Sequence, residues 1–491
     1  MQGISCRTVL ENDAERIEGM QRFEILTKTQ VEKIHETTLR IMEQVGLDFG
    51  HPPAVEVLKK GGAKVDGQRV FFTPGLVMKQ IKKAPAEFTL NARNPEHNVL
   101  IGGRNTVFAP GYGAPFVTDL EYGRRKATLK DFENFVKLTG ASPNQDLLSG
   151  TVVEPTDIPP EIRHARMLYA SVKYSDKCFM GSTMGARATR ECFQMAAIIF
   201  GSQAEFASRP VIFGIAGALT PLKYDARMLE AIMEYAAAAQ PLVVSSLAIA
   251  GATGPVTLAG NLALQNAEVL AGIVLAQLVR EGTPVIFGGV STNAEMRNGT
   301  LSIGSPEMAI NTAATAQLAR YYKLPVRSGG AVCDAKSLDT QAPYESMMSL
   351  LMARLSGINF ILHSAGILES YNCMSYEKFI IDDEMCGMVK RIKRGYDVKP
   401  DTLAFDIIKD VGPGGHFLDK DHTLEHFRTE LYQPQLSNRD DFFSWQESGS
   451  PQNIETAHKK YKEILETYEA PELPADVDKD LLKFIEKLNE L

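Results

Sequence analysis

Tryptophan is all but missing from these 491 residues. There is one, Trp445, beside 15 Tyr and 23 Phe, so any aromatic recognition surface has to be built mainly from Tyr and Phe. Cysteine is sparse too. Cys6, Cys178, Cys192, Cys333, Cys373 and Cys386 are scattered, and no pair has the C-x-x-C spacing of a zinc or redox site. Six in so long a chain make no disulfide framework and point to a reducing, cytoplasmic setting. The opening MQGISCRTVLENDAER lacks an apolar h-region, so no signal peptide is expected. No dense Lys/Arg block occurs and the net charge is −8, which argues against a nucleic-acid partner. The longest uncharged run, 235–267, is interrupted by Pro241, Gly251, Gly254, Pro255 and Gly260. It reads as a helix end, a strand, a turn and a buried helix rather than a membrane span. No GK[ST] follows a glycine loop and no G-x-S-x-G elbow is present.

What is there is an ordinary globular composition, 44% hydrophobic and 23% charged, with 39 glycines. The first hundred residues read as an α+β cap. Leu26, Val31, Ile34, Ile41, Met42 and Val45 share a helical face after N-caps at Thr27 or Thr29, with Gly46 as the stop. KVDGQRVFF reads as a hairpin turning at Asp66-Gly67. From about 105 the texture becomes repetitive. Short apolar runs at 106–110, 147–151, 178–182, 211–217, 242–246, 285–289, 325–330 and 359–364 alternate with amphipathic, Ala-rich stretches. Eight such units predict an α/β fold, a (β/α)8 TIM barrel. The expected division is an α+β cap over 1–104, the barrel over 105–398 and a helical extension over 399–491.

In such a barrel the site lies where strands end and loops begin. Glycines cluster there: 111, 113, 150, 181, 214, 288, 289, 329 and 330. They suggest a small-residue mouth. The larger groups facing it are Tyr112, between two glycines; Arg327 on the seventh strand; His363, ending the eighth; and Tyr371 and Asn372 in the loop beyond. Asp334 and Asp339 follow the seventh strand. No lysine ends a strand in a Schiff-base position, although Lys177 and Lys336 are near. His422 and His426 have i, i+4 spacing but no adjoining Glu, and with His416 they read as a solvated helix face; no metal is expected.

GPVTLAGNLALQNAEVLAGIVLAQL, SGGAVCDAKSLDTQAPYES, HSAGILES with SYEKFIIDDEM, and GGHFLDKDHTLEHFRTE together resemble the trimethylamine methyltransferase family, from about Phe23 to Arg439. The resemblance implies a (β/α)8 barrel and delivery of a methyl group to a corrinoid protein. Family members acting on trimethylamine carry a pyrrolysine in the loop after the last strand. This sequence has none, and Asn372 stands at the matching position. The chain thus looks like the branch that demethylates quaternary amines such as glycine betaine, proline betaine or carnitine.

That chemistry needs little from the protein beyond binding and aiming, because a quaternary nitrogen leaves as a neutral amine without an acid. Tyr112 and Tyr371, with Phe213 as a third, are the expected cage for the cation. His363, Arg327 and backbone N–H groups of Gly329 and Gly330 are expected at a substrate carboxylate. His363 and Asn372 are the expected catalytic residues. No tightly bound cofactor is expected, since the acceptor is a partner's corrinoid (cobalamin), and a homo-oligomer is expected. The alternatives are a non-catalytic quaternary ammonium binding protein and a pterin-dependent corrinoid methyltransferase.

Overall fold

The computed structural model of the chain describes residues 21–490; Cys6 lies outside them. Six parallel strands are hydrogen-bonded in the order Val107–Phe108, Phe360–Leu362, Val326–Gly329, Val285–Gly289, Leu242–Ser246, Gly214–Gly217. Two shorter stretches close the ring. Met180 bridges Phe213 and Leu147 bridges Cys178, both in parallel. The N–H groups of Asp146 and Leu147 donate to Phe108 O at 2.8 and 3.3 Å. All eight expected strands are therefore staves of one closed parallel barrel.

Helices connect and surround them: Leu129–Ala141, Pro160–Tyr174, Ala186–Ile199, Ala226–Ala237, Leu258–Val279, Pro306–Tyr321, Gln341–Ser356 and Tyr376–Arg394. Their starts follow capping chemistry. Thr128 accepts from Asp131 N–H while the Asp131 carboxylate accepts from Thr128 N–H; Asp225, Ser305 and Ser375 also cap with their side chains. Helix Leu258–Val279 is long and apolar enough to cross a membrane by composition, but 89% of its apolar window is buried inside the protein. Its neighbours explain the composition: a helix covered on every side has no polar face to present.

The barrel interior is filled by Val107, Ala109, Leu147, Cys178, Met180, Phe213, Val243, Ile286, Phe360 and Leu362. Phe88, Leu90, Val99 and Ile101 join the same cluster. They come from the hairpin Glu87–Leu90 and Val99–Gly102, which is tied to strand beginnings by Asn91 N–H to Pro210 O and Asn94 N–H to Asp176 O. The hairpin thus plugs the N-terminal end of the barrel. Helix Lys28–Arg40 starts at the Thr27 capping box and packs on Leu258–Val279. Strand Leu47–Phe49 runs parallel to Lys223–Tyr224 from the loop after the fourth strand. The hairpin Lys64–Asp66 with Arg69–Phe71 still pairs Asp66 with Arg69. Its two-residue turn is therefore Gly67-Gln68, one position later than expected, with Gly67 at φ 61°. Helices Asn453–Thr467 and Ala475–Asn489 return to pack on the barrel helices.

The strand-end glycines are mostly not an open rim. A Cβ at Gly288 would lie 2.8 Å from Val244 O, and one at Gly181 would lie 2.7 Å from Ile212 and Tyr235 side-chain atoms. These glycines are absent side chains where elements press together; Gly113, with nothing within 4 Å, is one that does face open space.

Phe360 stands edge-to-face on Phe213 at 5.5 Å between centroids inside the barrel. Phe360→Ala should cost about 3–5 kcal/mol, read from urea unfolding. A loss below about 1 kcal/mol would show that this interior is loosely filled.

Candidate functional site

With one end plugged, the chemistry falls to the other, where four of the expected residues converge. Arg327 lies on the seventh strand and is 3% exposed. Among the described residues it makes no ion pair, and its buried Nε has no hydrogen-bond partner. Burial lowers its pKa to about 10, so it is still a cation at neutral pH. Tyr112, His363 and Tyr371 surround this charge, each electrostatically coupled to it.

His363 ends the eighth strand in the left-handed region, φ 62°. Its N–H donates to Pro110 O at 3.1 Å, and its Nδ1 accepts from Tyr112 N–H at 3.2 Å. That bond assigns the ring proton to Nε2. Burial, and then the neighbouring Arg327 charge, push its pKa well below the usual histidine range. The imidazole is therefore a neutral aromatic ring. Tyr371 lies against it, centroids 4.5 Å apart, and Tyr112 stands edge-on at 6.5 Å. Burial raises both phenols to about 12, so both keep their protons, and the Tyr371 hydroxyl is buried without a partner. Gly329 lies beside it: a Cβ there would meet Met308 Cε at 3.1 Å and come to ordinary contact, 3.8 Å, with that oxygen.

The loop that carries Tyr371 is strained. Glu369, Ser370 and Tyr371 have φ of 52°, 52° and 77°, a run that non-glycine residues adopt only when held. The restraints are visible. Glu369 and Ser370 N–H groups donate to Ala335 O and Cys333 O, and Ser370 Oγ donates to Asp334 Oδ1 at 2.6 Å. Arg124 Nε donates to the Glu369 carboxylate at 2.9 Å. Asn372 belongs to this set: its side chain is exposed, and its Nδ2 donates to Glu369 O at 2.7 Å. The structure thus places Asn372 on the outside of the loop, apart from the other four. Phe213 is fully buried below them in the barrel interior. Gly330 is a tight crossing, where a Cβ would lie 3.1 Å from His363 O.

The nearby lysines are committed elsewhere. Lys177 Nζ donates to Thr139 O, Ser142 O and Gln145 O at 2.7–2.8 Å, and Lys336 Nζ donates to Asp334 O at 2.6 Å.

A cavity of about 500 Å3 opens beside Tyr112, walled by Gly150, Thr151, Glu154, His164, Met180 and Glu191 among others. Arg327, His363 and Tyr371 are not in its wall, so Tyr112 is the residue shared between cavity and cluster. Glu154 pairs with Arg163. Glu191 takes His164 Nε2 at 2.6 Å and Arg187 Nε at 2.8 Å. Sequence reading passed over Glu154 and Glu191. Glu154 stands three residues past the second strand and was open to the same strand-end rule, whereas Glu191 is mid-helix and carries no such signal.

The trimethylamine methyltransferase (MTTB) family model matches residues 7–490. A glycine betaine methyltransferase of Desulfitobacterium hafniense is 52% identical over 95% of this chain and 97% of its own length. A proline betaine:corrinoid methyltransferase of Eubacterium limosum is 35% identical, covering 92% and 95%. A trimethylamine methyltransferase of D. hafniense is 32% identical, covering 99% and 97%. Among solved structures, the Methanosarcina barkeri monomethylamine methyltransferase superposes with a TM-score of 0.55 over 94% of this chain and 92% of its own, at 12% identity, a likeness of fold. On a match that spans nearly its whole length, the chain belongs to the trimethylamine methyltransferase family.

Proposed function

We propose that this methyltransferase takes a methyl group from a carboxylate-bearing quaternary amine, of the size of glycine betaine, and passes it to the Co(I) corrinoid of a partner protein. One observation carries the choice of substrate: Arg327 is a buried cation with no ion-pair partner among the described residues. Leaving a charge buried and unpaired is costly, and such a group stands ready for an incoming carboxylate in bidentate geometry. The Tyr371 hydroxyl, also without a partner, supplies a second donor. The other end of the substrate is a trimethylammonium group. The neighbouring faces of Tyr112, Tyr371 and neutral His363 attract it, each good contact being worth about 0.5–2 kcal/mol.

The corrinoid supplies the nucleophile. The protein's part is to hold the substrate by two opposite charges so that one N-methyl bond points out of the barrel mouth. When that bond breaks, its electron pair stays on nitrogen, which leaves as a neutral tertiary amine. No proton has to move, in keeping with a site whose imidazole is already neutral and whose phenols do not titrate near neutrality. The catalytic part proposed for His363 is therefore positional: its Nδ1 fixes the Tyr112 backbone and its ring forms one wall. Asn372 acts on the loop that presents Tyr371. The cavity beside Tyr112 gives the substrate its way in.

Methylation of added Co(I) corrinoid should occur with glycine betaine or a close carboxylated relative, and fall to background when no quaternary amine is present. No methylation with any quaternary amine sinks the reading. Arg327→Met sharpens it. This change should raise Tm, since an unpaired buried charge is removed, and weaken glycine betaine binding by about a hundredfold or more, the equivalent of a lost charged hydrogen bond. A variant that binds normally returns Arg327 to a structural part.

The pH dependence has a definite sign. Arg327 is protonated below about 10 and His363 is deprotonated throughout the neutral range. Calorimetric affinity for glycine betaine should therefore be flat across neutral pH. It should weaken by about tenfold per pH unit above 10. A break near the ordinary histidine pKa of about 6.5 would mean that His363 titrates in the free enzyme.

A further inference from the structure

Beyond helix Tyr376–Arg394 the chain runs through four short helices, Pro400–Leu403, Phe405–Val411, Asp421–Glu430 and Phe442–Glu447, and none of them buries a side chain. Tyr396, Leu403, Phe405, Leu418, Leu424 and Phe443 are all exposed here. A segment with no core of its own has to be held by polar ties. Its far end is well anchored, because the Glu384 carboxylate accepts from the N–H groups of Gln435, Leu436 and Ser437. Helix Asp421–Glu430 is tied at its two ends, by Lys420 to Asp410 at 2.8 Å and by Arg391 to Glu430 O, and it meets the turn at 400 between those ties.

What joins helix and turn there is a cluster of ligand-type side chains. His422 and His426 stand one helical turn apart with ring centroids 4.4 Å from each other. Asp401, from the facing short helix, brings Oδ2 to 3.2 Å from His426 Nε2. His422 Nε2 lies 3.2 Å from the backbone O of Asp401. One ligand atom from each residue falls within 4.8 Å of the others. Tetrahedral zinc, with bonds of about 2.0–2.2 Å, requires its ligand atoms about 3.3 Å apart, so small side-chain rotations suffice. His416 is not part of the group; it pairs with Asp419 at 3.5 Å.

We propose that Asp401, His422 and His426 bind a divalent transition-metal ion of the zinc class. Each imidazole has one lone-pair nitrogen and the carboxylate offers its oxygens, so the three side chains can turn lone pairs towards one ion. The i, i+4 pair alone is common on solvated helices; the carboxylate brought from residue 401 is what makes it a ligand set. The ion clips the 400 turn to helix Asp421–Glu430 and thereby fixes an outer surface that packing leaves loose. Its ligands stand on the outer segment, separate from Arg327 and the aromatic rings, so the proposal is independent of the methyl-transfer reading.

The test uses tag-free full-length protein stripped with a chelator and then titrated with zinc sulfate against a chromophoric chelator. One equivalent should bind per chain and raise Tm. His422→Ala and His426→Ala should each lose on the order of tenfold or more in affinity together with the Tm shift, Asp401→Asn should weaken both, and His416→Ala should change neither. None of these positions is buried, and Asp401→Asn keeps the shape of the side chain, so circular dichroism should show all variants folded. The absence of stoichiometric binding, or binding that the His422 and His426 variants retain, overturns the site and leaves an exposed His426–Asp401 ion pair.

Discussion

Arg327 is a guanidinium drawn out of water with no carboxylate among the described residues to meet it. The desolvation this implies is several kcal/mol, and the fold must supply it from elsewhere. The supply is the barrel: eight parallel staves with a dry interior of Phe213, Phe360, Ile286 and Leu362 beneath the charge, and a hairpin closing the far end. The ring is closed and its N-terminal end plugged, so Arg327 sits towards the C-terminal end of the barrel. In the proposed reaction it is the substrate carboxylate that meets this charge.

The second demand is geometric. Three aromatic rings have to stand around that charge without neutralising it. Tyr112 is set by a hydrogen bond from its own N–H to His363, and His363 is set by a left-handed backbone held to Pro110. Tyr371 is reached through three consecutive left-handed residues. Each such residue costs of order 1–3 kcal/mol, and the ties from Asp334, Arg124 and the Asn372 side chain are what make the conformation persist. Burial does the electrostatic work. It keeps the phenols protonated and the imidazole neutral, so the rings offer π faces and hydroxyl donors rather than further charge.

Much of the frame was legible in the sequence. Eight apolar runs at regular spacing, Ala-rich helices and the Thr27 cap depend on local periodicity and local hydrogen bonding, and each appears where the pattern put it. The Asp66-Gly67 turn moved by one residue because register belongs to the pairing of two strands and not to either strand alone. The glycines at strand ends were visible, yet their reason was not: most are tight crossings, which only the neighbouring elements reveal.

For the site, the sequence by itself determined the chemical kinds: Arg327 on the seventh strand, His363 ending the eighth, Tyr112 and Tyr371 in loops beyond strands, and, with one Trp in the chain, aromatic faces drawn from Tyr and Phe. Tertiary structure decided the states and the company. That Arg327 has no anion among the described residues, that His363 is neutral, that Asn372 turns outward and that Phe213 lies below the mouth all follow from burial and from contacts between residues far apart in the chain. Likewise Asp401 meets His422 and His426 only because two short helices face each other. Spacing along a chain can place a residue on an element, but desolvation and the choice of partner are properties of what is packed around it.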